Sequence, residues 1–377
     1  MEKPRRFLIA HFHPVELYPP CLNMIETFVL NDFLGVLVSS SQAEPRRNYD
    51  LGSQVRSVRT RSYSIPPSRV ASVRSYLDFA LNVRLELISG DFDIFLLYEA
   101  VGFYLAIPRF WSKKLFVALH FHEYRSKKES KKSSRFERLA DNWSASNLRR
   151  ANWVSQATEL RSEAYSKEHR VQVNTLHNFP SFRPVGKMRY RRDIGQTQIR
   201  IVFLGTLDLD HPVLEKMREC VSYSKSMEMT LIGSIKDDKI PSSWMSPQFH
   251  FAGRIHYNEI LEKLNEFDIG VIHYAAHSEN FRLGVPNKFF EYQYAQLPVL
   301  YDVSMQGIEH FSKSNHYWGF CSEAIDFLGL SLGSLVSRIE DLNNKGRGWQ
   351  GLKDSVIVTS NDENSKLIAA ANKWYAK

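Results

Sequence analysis

Short, unbroken apolar runs recur along this chain. They are separated by stretches of helical periodicity, and nearly every run ends in polar residues or glycine. Such runs occupy residues 6–10, 35–39, 93–98, 115–119 and 153–155 in the first half. In the second half they occupy residues 199–204, 229–232, 249–252, 269–273 and 297–301. A strand with one wet face alternates, whereas a continuous run is buried on both faces, as in a parallel sheet covered by helices. Strands alternating with helices at residues 23–33 and 69–88 therefore predict doubly wound α/β units. Residues 55–63 alternate instead, with Arg56, Arg59 and Arg61 among them, and Pro66-Pro67 ends them. Residues 171–176 close the first half.

A length of 377 residues suits two domains. The expected boundaries are 1–182, a polar and basic linker at 183–198, a second domain at 199–360, and a final helix at 361–377. Asn258 is expected to cap a helix at 259–267.

Ligands in open α/β sheets sit beyond the carboxyl ends of the strands. In the first half those ends carry His11, His13, Tyr98, Glu99, His120, His122, Glu123, Gln156, His177 and Asn178. In the second they carry Gly205, Thr206, Gly233, Gly253, Arg254, His273 and Tyr274. Glycine at a strand-to-helix turn lets a phosphate approach the backbone. The second half thus reads as a nucleotide site, and the first as the place of chemistry and of an acceptor, with His11, His13 and Glu99 as acceptor-side candidates. His122, near neutrality in its ordinary pKa, suits a general base.

Pro286-Asn287-Lys288-Phe289-Phe290-Glu291-Tyr292 opens a helix that runs into the strand Leu297-Pro298-Val299-Leu300. Proline is at home at a helix start. Lys288 offers a phosphate a cation, as does Arg254 with its fork of donors. This stretch resembles the nucleotide-sugar signature of GT-B glycosyltransferases, especially the family 4-like bacterial enzymes. The resemblance implies two Rossmann-like domains facing a cleft, with the final helix crossing back onto the first. It also implies that Glu291 holds the ribose. Gly205, Thr206, Gly253, Arg254, His273, Asn287 and Lys288 join it as the donor site. His122-Glu123 is similar to a pair at the same strand end in that family, which assigns both to catalysis, and Asn178 matches an Asn before its linker. Many members place a second Glu eight residues before the first. Here that position is Leu283, and Glu279 stands at a different spacing, so retention and inversion both stay open.

The reaction implied is transfer of a sugar from a UDP- or GDP-linked donor to an acceptor hydroxyl. The acceptor is expected in a bacterial surface polysaccharide or lipid-linked glycan, with no metal or further cofactor. Residues 1–185 hold 27 Lys and Arg against 18 Asp and Glu, an excess of +9, while the remainder holds 22 against 23. This asymmetry predicts an anionic partner for the first half. An anionic membrane surface fits better than nucleic acid, through a basic helix around residues 125–138. No apolar run approaches the ~20 residues of a membrane span. The basic start is followed by an apolar run that breaks at His11-Phe12-His13, so no signal peptide is expected. Cys21, Cys220 and Cys321 are scattered, as in a reducing compartment. A cytoplasmic protein, peripheral at the inner face of the membrane, is the expectation.

Other readings use the same residues. His11-x-His13 and His120-x-His122 have metal-ligand spacing, as in a metal-dependent hydrolase. The basic half also suits a non-catalytic glycan- or polyanion-binding protein. Asp208-x-Asp210 is read as a solvated loop rather than a metal motif. The G-x-G-x-x-G dinucleotide fingerprint is absent.

Overall fold

The computed structural model describes residues 4–41, 51–61, 69–106, 114–181, 198–236, 240–256, 259–274, 278–315, 322–347 and 358–376. They belong to two compact units, Met1–Ser181 with Val358–Lys377, and Phe182–Ile357. Of the expected linker only Gln198 lies within the described residues.

The first unit is built on a parallel sheet of seven strands: β1 (Arg6–His11), β2 (Leu34–Ser40), β3 (Val55–Thr60), β4 (Ile94–Tyr98), β5 (Phe116–Phe121), β6 (Trp153–Gln156) and β7 (Asn174–Thr175). Their spatial order is β3-β2-β1-β4-β5-β6-β7. Every residue of β4 and β5 is buried, as their continuous apolar sequence requires. The helices are α1 (Pro19–Leu30), α2 (Arg69–Ser89), α3 (Glu99–Ala106), α4 (Lys127–Ser130), α5 (Arg135–Asn147) and α6 (Glu159–His169). Register pairs His11 with Ser39, Tyr98 with His120, and Phe121 with Gln156. The polar strand ends therefore come out along one edge.

The second unit has six parallel strands: β8 (Ile199–Leu204), β9 (Met227–Ile232), β10 (Phe249–Gly253), β11 (Ile269–Ile272), β12 (Val299–Asp302) and β13 (Ser322–Ile325), in the order β10-β9-β8-β11-β12-β13. Its helices are α7 (Pro212–Tyr223), α8 (Ile260–Leu264), α9 (Glu279–Arg282), α10 (Asn287–Tyr294), α11 (Gln306–Ser314) and α12 (Leu332–Arg347). In both sheets the order reverses beside the first strand, between β1 and β4 and between β8 and β11. Such switch points leave a crevice at the carboxyl edge.

The last helix, α13 (Ser360–Tyr375), returns to the first unit and packs on α1. Leu367, Ile368 and Ala371 join the core that contains Phe7, Ile9, Phe28 and Leu96. Burying a Leu or Ile contributes about 1.5–3 kcal/mol each. Thr359 caps it: its side chain accepts from the Asp362 N–H, and the Asp362 carboxylate accepts from the Thr359 N–H.

The structure adds to the sequence reading in three places. The basic stretch beyond residue 124 is two helices, not one. Ser126 with Glu129 and Ser134 with Glu137 each form a capping box, and each box starts a helix of its own. α8 begins at Ile260 with Glu259 at its N-cap and no side-chain bond there, and Asn258 lies outside the described residues. β13 pairs with β12 at the sheet edge, where Ser322-Glu323-Ala324-Ile325 shows no apolar run to announce it.

Candidate functional site

In the second unit the site grows from the crevice between β8 and β11. Tyr292 of α10 inserts there. The Leu204 N–H donates to its hydroxyl at 3.0 Å, replacing a ladder bond where the strands diverge. Gly270 makes room, since a Cβ there would fall 2.5 Å from the Tyr292 ring. α10 is buried from Lys288 to Tyr294, which is why its sequence shows no clean polar face. Lys288 donates from Nζ to the Leu204 carbonyl. The ammonium lies 4.5 Å from the centre of the Tyr274 ring and 4.9 Å from that of Phe203. One turn on, Glu291 is buried, and no hydrogen bond reaches its carboxyl group from the described residues. Burial raises its pKa to about 7, with the Lys288 cation opposing the rise. Asn287 stands half-buried at the first helical position.

Gly205 and Gly233 have φ of 138° and 147°, open to glycine alone. A Cβ on Gly205 would lie 2.8 Å from Lys288 Nζ, and one on Gly233 would lie 1.7 Å from the Gly205 carbonyl oxygen. The Gly233 N–H donates to the Gly253 carbonyl at 2.8 Å. Three consecutive strand ends thus stack backbone on backbone beside the Lys288 amine. Thr206 is exposed next to them, and Arg254, also exposed, bonds to the Ser234 hydroxyl. Asp208 pairs with Lys236 at 2.8 Å, at an exposed position. Leu283 is buried, and Glu279 pairs with Arg282 within α9.

His273 belongs to a row that sequence reasoning did not assemble. His211 caps α7 by accepting at Nδ1 from the Val213 N–H, 3.3 Å away, so its proton sits on Nε2. That atom faces His273 Nε2 at 3.3 Å, and His273 Nδ1 lies 3.5 Å from the Asp302 carboxylate. Burial would raise the Asp302 pKa, but hydrogen bonds from His273 and Ser304 outweigh it and lower it. Only topology joins these three residues, which are 62 and 29 positions apart.

In the first unit the strand ends line a cavity of about 400 Å³. His11, His13, Tyr98, Glu99, Glu123 and Arg125 face it. Glu99 has a φ of 62°, costly for a residue with a Cβ. Its carboxylate accepts from the His122 N–H at 2.7 Å and the Glu123 N–H at 3.4 Å. Burial and the Glu123 charge still push its pKa up to about 8. His122 points elsewhere. Its ring stacks on Tyr98, with centres 4.7 Å apart, and borders a smaller pocket lined by Asn23, His120, His177 and Asn178. Burial first, then the His120, His11 and Arg161 charges, lower its pKa far below the usual histidine range. Burial likewise takes His11 and His120 to about 3. The Nε2 atoms of His11 and His122 are buried with no hydrogen-bond partner among the described residues. Among the described residues no group of three His, Cys, Asp or Glu side chains is arranged to hold a metal ion. Cys21 and Cys220 are buried free thiols, and Cys321 lies outside the described residues.

No protein-family model matches the sequence, and no curated protein is similar to it in sequence. Solved structures are similar in fold. Sucrose-phosphate synthase from Thermosynechococcus elongatus superimposes with a TM-score of 0.70 over 99% of both chains, at 11% identity. The fold is GT-B. HepE of Anabaena, solved with UDP and glucose, gives 0.60 over 99% of both chains at 11% identity. A Listeria monocytogenes protein named provisionally as a UDP-N-acetylglucosamine 2-epimerase gives 0.59 at 12% identity, over 100% of this chain and 97% of the other. One GT-B architecture thus carries more than one reaction, and the choice among them rests on the site. No helix among the described residues is long and apolar enough to cross a membrane.

Proposed function

We propose that this chain is a glycosyltransferase that moves a sugar from a nucleoside-diphosphate donor, UDP- or GDP-linked, to an acceptor hydroxyl. The observation that carries the reading is α10. It sets a buried ammonium against the stacked glycine loops and, one turn away, a buried carboxyl group with an unused hydrogen-bonding capacity. A diphosphate matches the first and ribose hydroxyls the second. The anomeric carbon is attacked while the diphosphate leaves, and Lys288, Arg254 and the start of α10 stabilise the charge that develops on it. The acceptor is placed in the first unit, its body in the cavity of His11, His13, Glu99 and Glu123 and its reacting hydroxyl in the smaller pocket that His122 borders, which shares Tyr98 with that cavity. His122, held neutral, is the general base, and the Glu99 carboxylate fixes the loop that carries it. An acceptor in a surface polysaccharide or a lipid-linked glycan, met at the inner face of an anionic membrane, agrees with the charge excess of residues 1–185.

Thermal melting with a panel of UDP-, GDP-, dTDP- and CMP-sugars tests the donor assignment, because a ligand of the folded state raises the melting temperature. A rise with one nucleotide, followed by sugar transfer to an added glycan acceptor, is expected. No rise with any member of the panel overturns the reading. Conversion of the donor to its epimer without an acceptor assigns the chain to the other chemistry of this fold.

A further inference from the structure

α2 is apolar on two sides, and the fold uses only one. Phe79, Ala80 and Val83 are buried toward the sheet. Val73, Leu77, Leu81, Leu85 and Ile88 point outward, each 52–83% exposed. Their spacing of four, four, four and three residues winds one stripe along about 22 Å of helix, at 1.5 Å per residue. Single exposed apolar residues need no explanation, but a contiguous row of five large ones marks an interaction surface.

We propose that this stripe docks the first unit onto an anionic lipid bilayer, α2 lying in the interface plane with its outer face among the acyl chains. The inference deepens the membrane part of the proposed function and gives it a location. The charges on the helix select the occupant. At about 100° per residue, Arg74 and Arg84, both exposed, fall within the stripe itself. Asp78 lies at its margin, with its carboxylate already accepting from the Arg61 N–H at 2.7 Å and from Asn82. Glu86 lies off it, paired with Arg56. Long cationic side chains beside an apolar face can reach lipid phosphates while their stems stay with the acyl chains. A second copy of the stripe would bring arginines toward arginines. Residues 125–138, the segment expected to fill this role, are less suited. Arg125 pairs with Asp141 and Glu137, and no large apolar side chain of this segment is exposed.

Co-sedimentation with phosphatidylcholine vesicles, with and without phosphatidylglycerol, tests the proposal on the full chain. The wild type is expected to bind the anionic vesicles and to lose binding as salt is added. The triple variant Leu77→Glu, Leu81→Glu, Leu85→Glu is expected to bind them at least tenfold more weakly, with melting temperature and nucleotide-dependent stabilisation unchanged. As a variant that keeps the face apolar, Leu81→Trp is expected to show fluorescence quenched by brominated acyl chains beyond the wild-type background. Absence of wild-type binding, undiminished binding by the triple variant, or no added quenching in Leu81→Trp each overturns the proposal. So does a lipid-free wild-type dimer, seen by analytical ultracentrifugation, that the triple variant abolishes, since the stripe is then a contact between copies. Nucleotide binding is scored separately, so failure of the donor assignment and failure of membrane docking are distinguishable.

Discussion

Glu291 gains its interest from what surrounds it rather than from its charge. Its folded-state pKa of about 7 exceeds the unfolded value near 4.5, so the folded state binds more protons between these values. The contribution of this group to stability therefore falls as pH rises from about 4.5 to 7. Ribose hydroxyls donating to the carboxylate favour its charged form. Nucleotide binding near pH 7 is then expected to release a proton and to tighten as pH rises through about 7. Calorimetry in buffers of different ionisation enthalpy measures both effects. Glu291→Ala is expected to weaken binding by about 1–3 kcal/mol, the cost of an unpaired buried partner, in a protein that still folds. His122→Ala is expected to lower turnover by ~10²–10⁴-fold, the range for a positioned base, and to leave nucleotide affinity intact. Because burial holds His122 far below the usual histidine range, the acid limb of the pH–rate profile is expected well below pH 6.5. An acid limb near that value would mean that another group is titrating.

Among the elements, α10 and the glycine-ended strands depend on each other most. The loops after β8, β9 and β10 can stack only because Gly205 and Gly233 have no side chains. Gly233→Ala sets a Cβ against the Gly205 carbonyl oxygen and asks alanine for a φ of 147°. Backbone cannot yield as a side-chain tip can. This substitution is expected to cost several kcal/mol and to abolish nucleotide-dependent stabilisation, whereas Gly253→Ala meets no atom within 4 Å and bears only the strain of φ 66°. Comparing the two by denaturant unfolding separates collision from strain. α5 provides a milder case. Ser134→Ala removes its cap and is expected to cost about 1 kcal/mol, read in the same way.

For the molecule as a whole, the decisive covalent fact is that the chain leaves the first unit and comes back to it. α13 is tied down by His177, whose Nδ1 lies 3.0 Å from Glu363 and whose Nε2 lies 2.9 Å from Glu159. Burial disfavours the His177 charge, but the two carboxylates overcome that and raise its pKa to about 9. Burial raises the Glu363 pKa, but the hydrogen bonds and charge of His177, together with the Lys366 hydrogen bond, outweigh it and lower it. The histidine's contribution is complete below its unfolded pKa near 6.5 and is lost as pH rises through about 9. The glutamate's is present above about 4.5 and is lost as pH falls through its lowered value. Stability of the first unit is therefore expected to fall between pH 7 and 9.5, and this fall to shrink in Glu363→Ala, where Glu159 alone still faces the imidazole. That variant leaves a buried imidazole cation with one partner fewer and is expected to lose up to about 3–5 kcal/mol at pH 7. Urea titrations of both proteins at the two pH values check it.

Much of the architecture could be read before any fold was known. Continuous apolar runs identify buried parallel strands because burial on both faces removes alternation, and ten strands were recognisable this way. The residues at their carboxyl ends were predictable for the same reason, as was the helix that follows Pro286. β13 was not, because an edge strand of four residues needs no apolar run. What the ends of those strands do was decided by the tertiary structure alone. Whether His122 or Glu99 faces the larger cavity depends on which neighbour occupies the space beside it. His211, His273 and Asp302 meet only because β8, β11 and β12 are adjacent. In α2, periodicity shows two apolar sides, but which one the sheet covers is a matter of packing, since the hydrophobic effect rewards buried area without regard to direction.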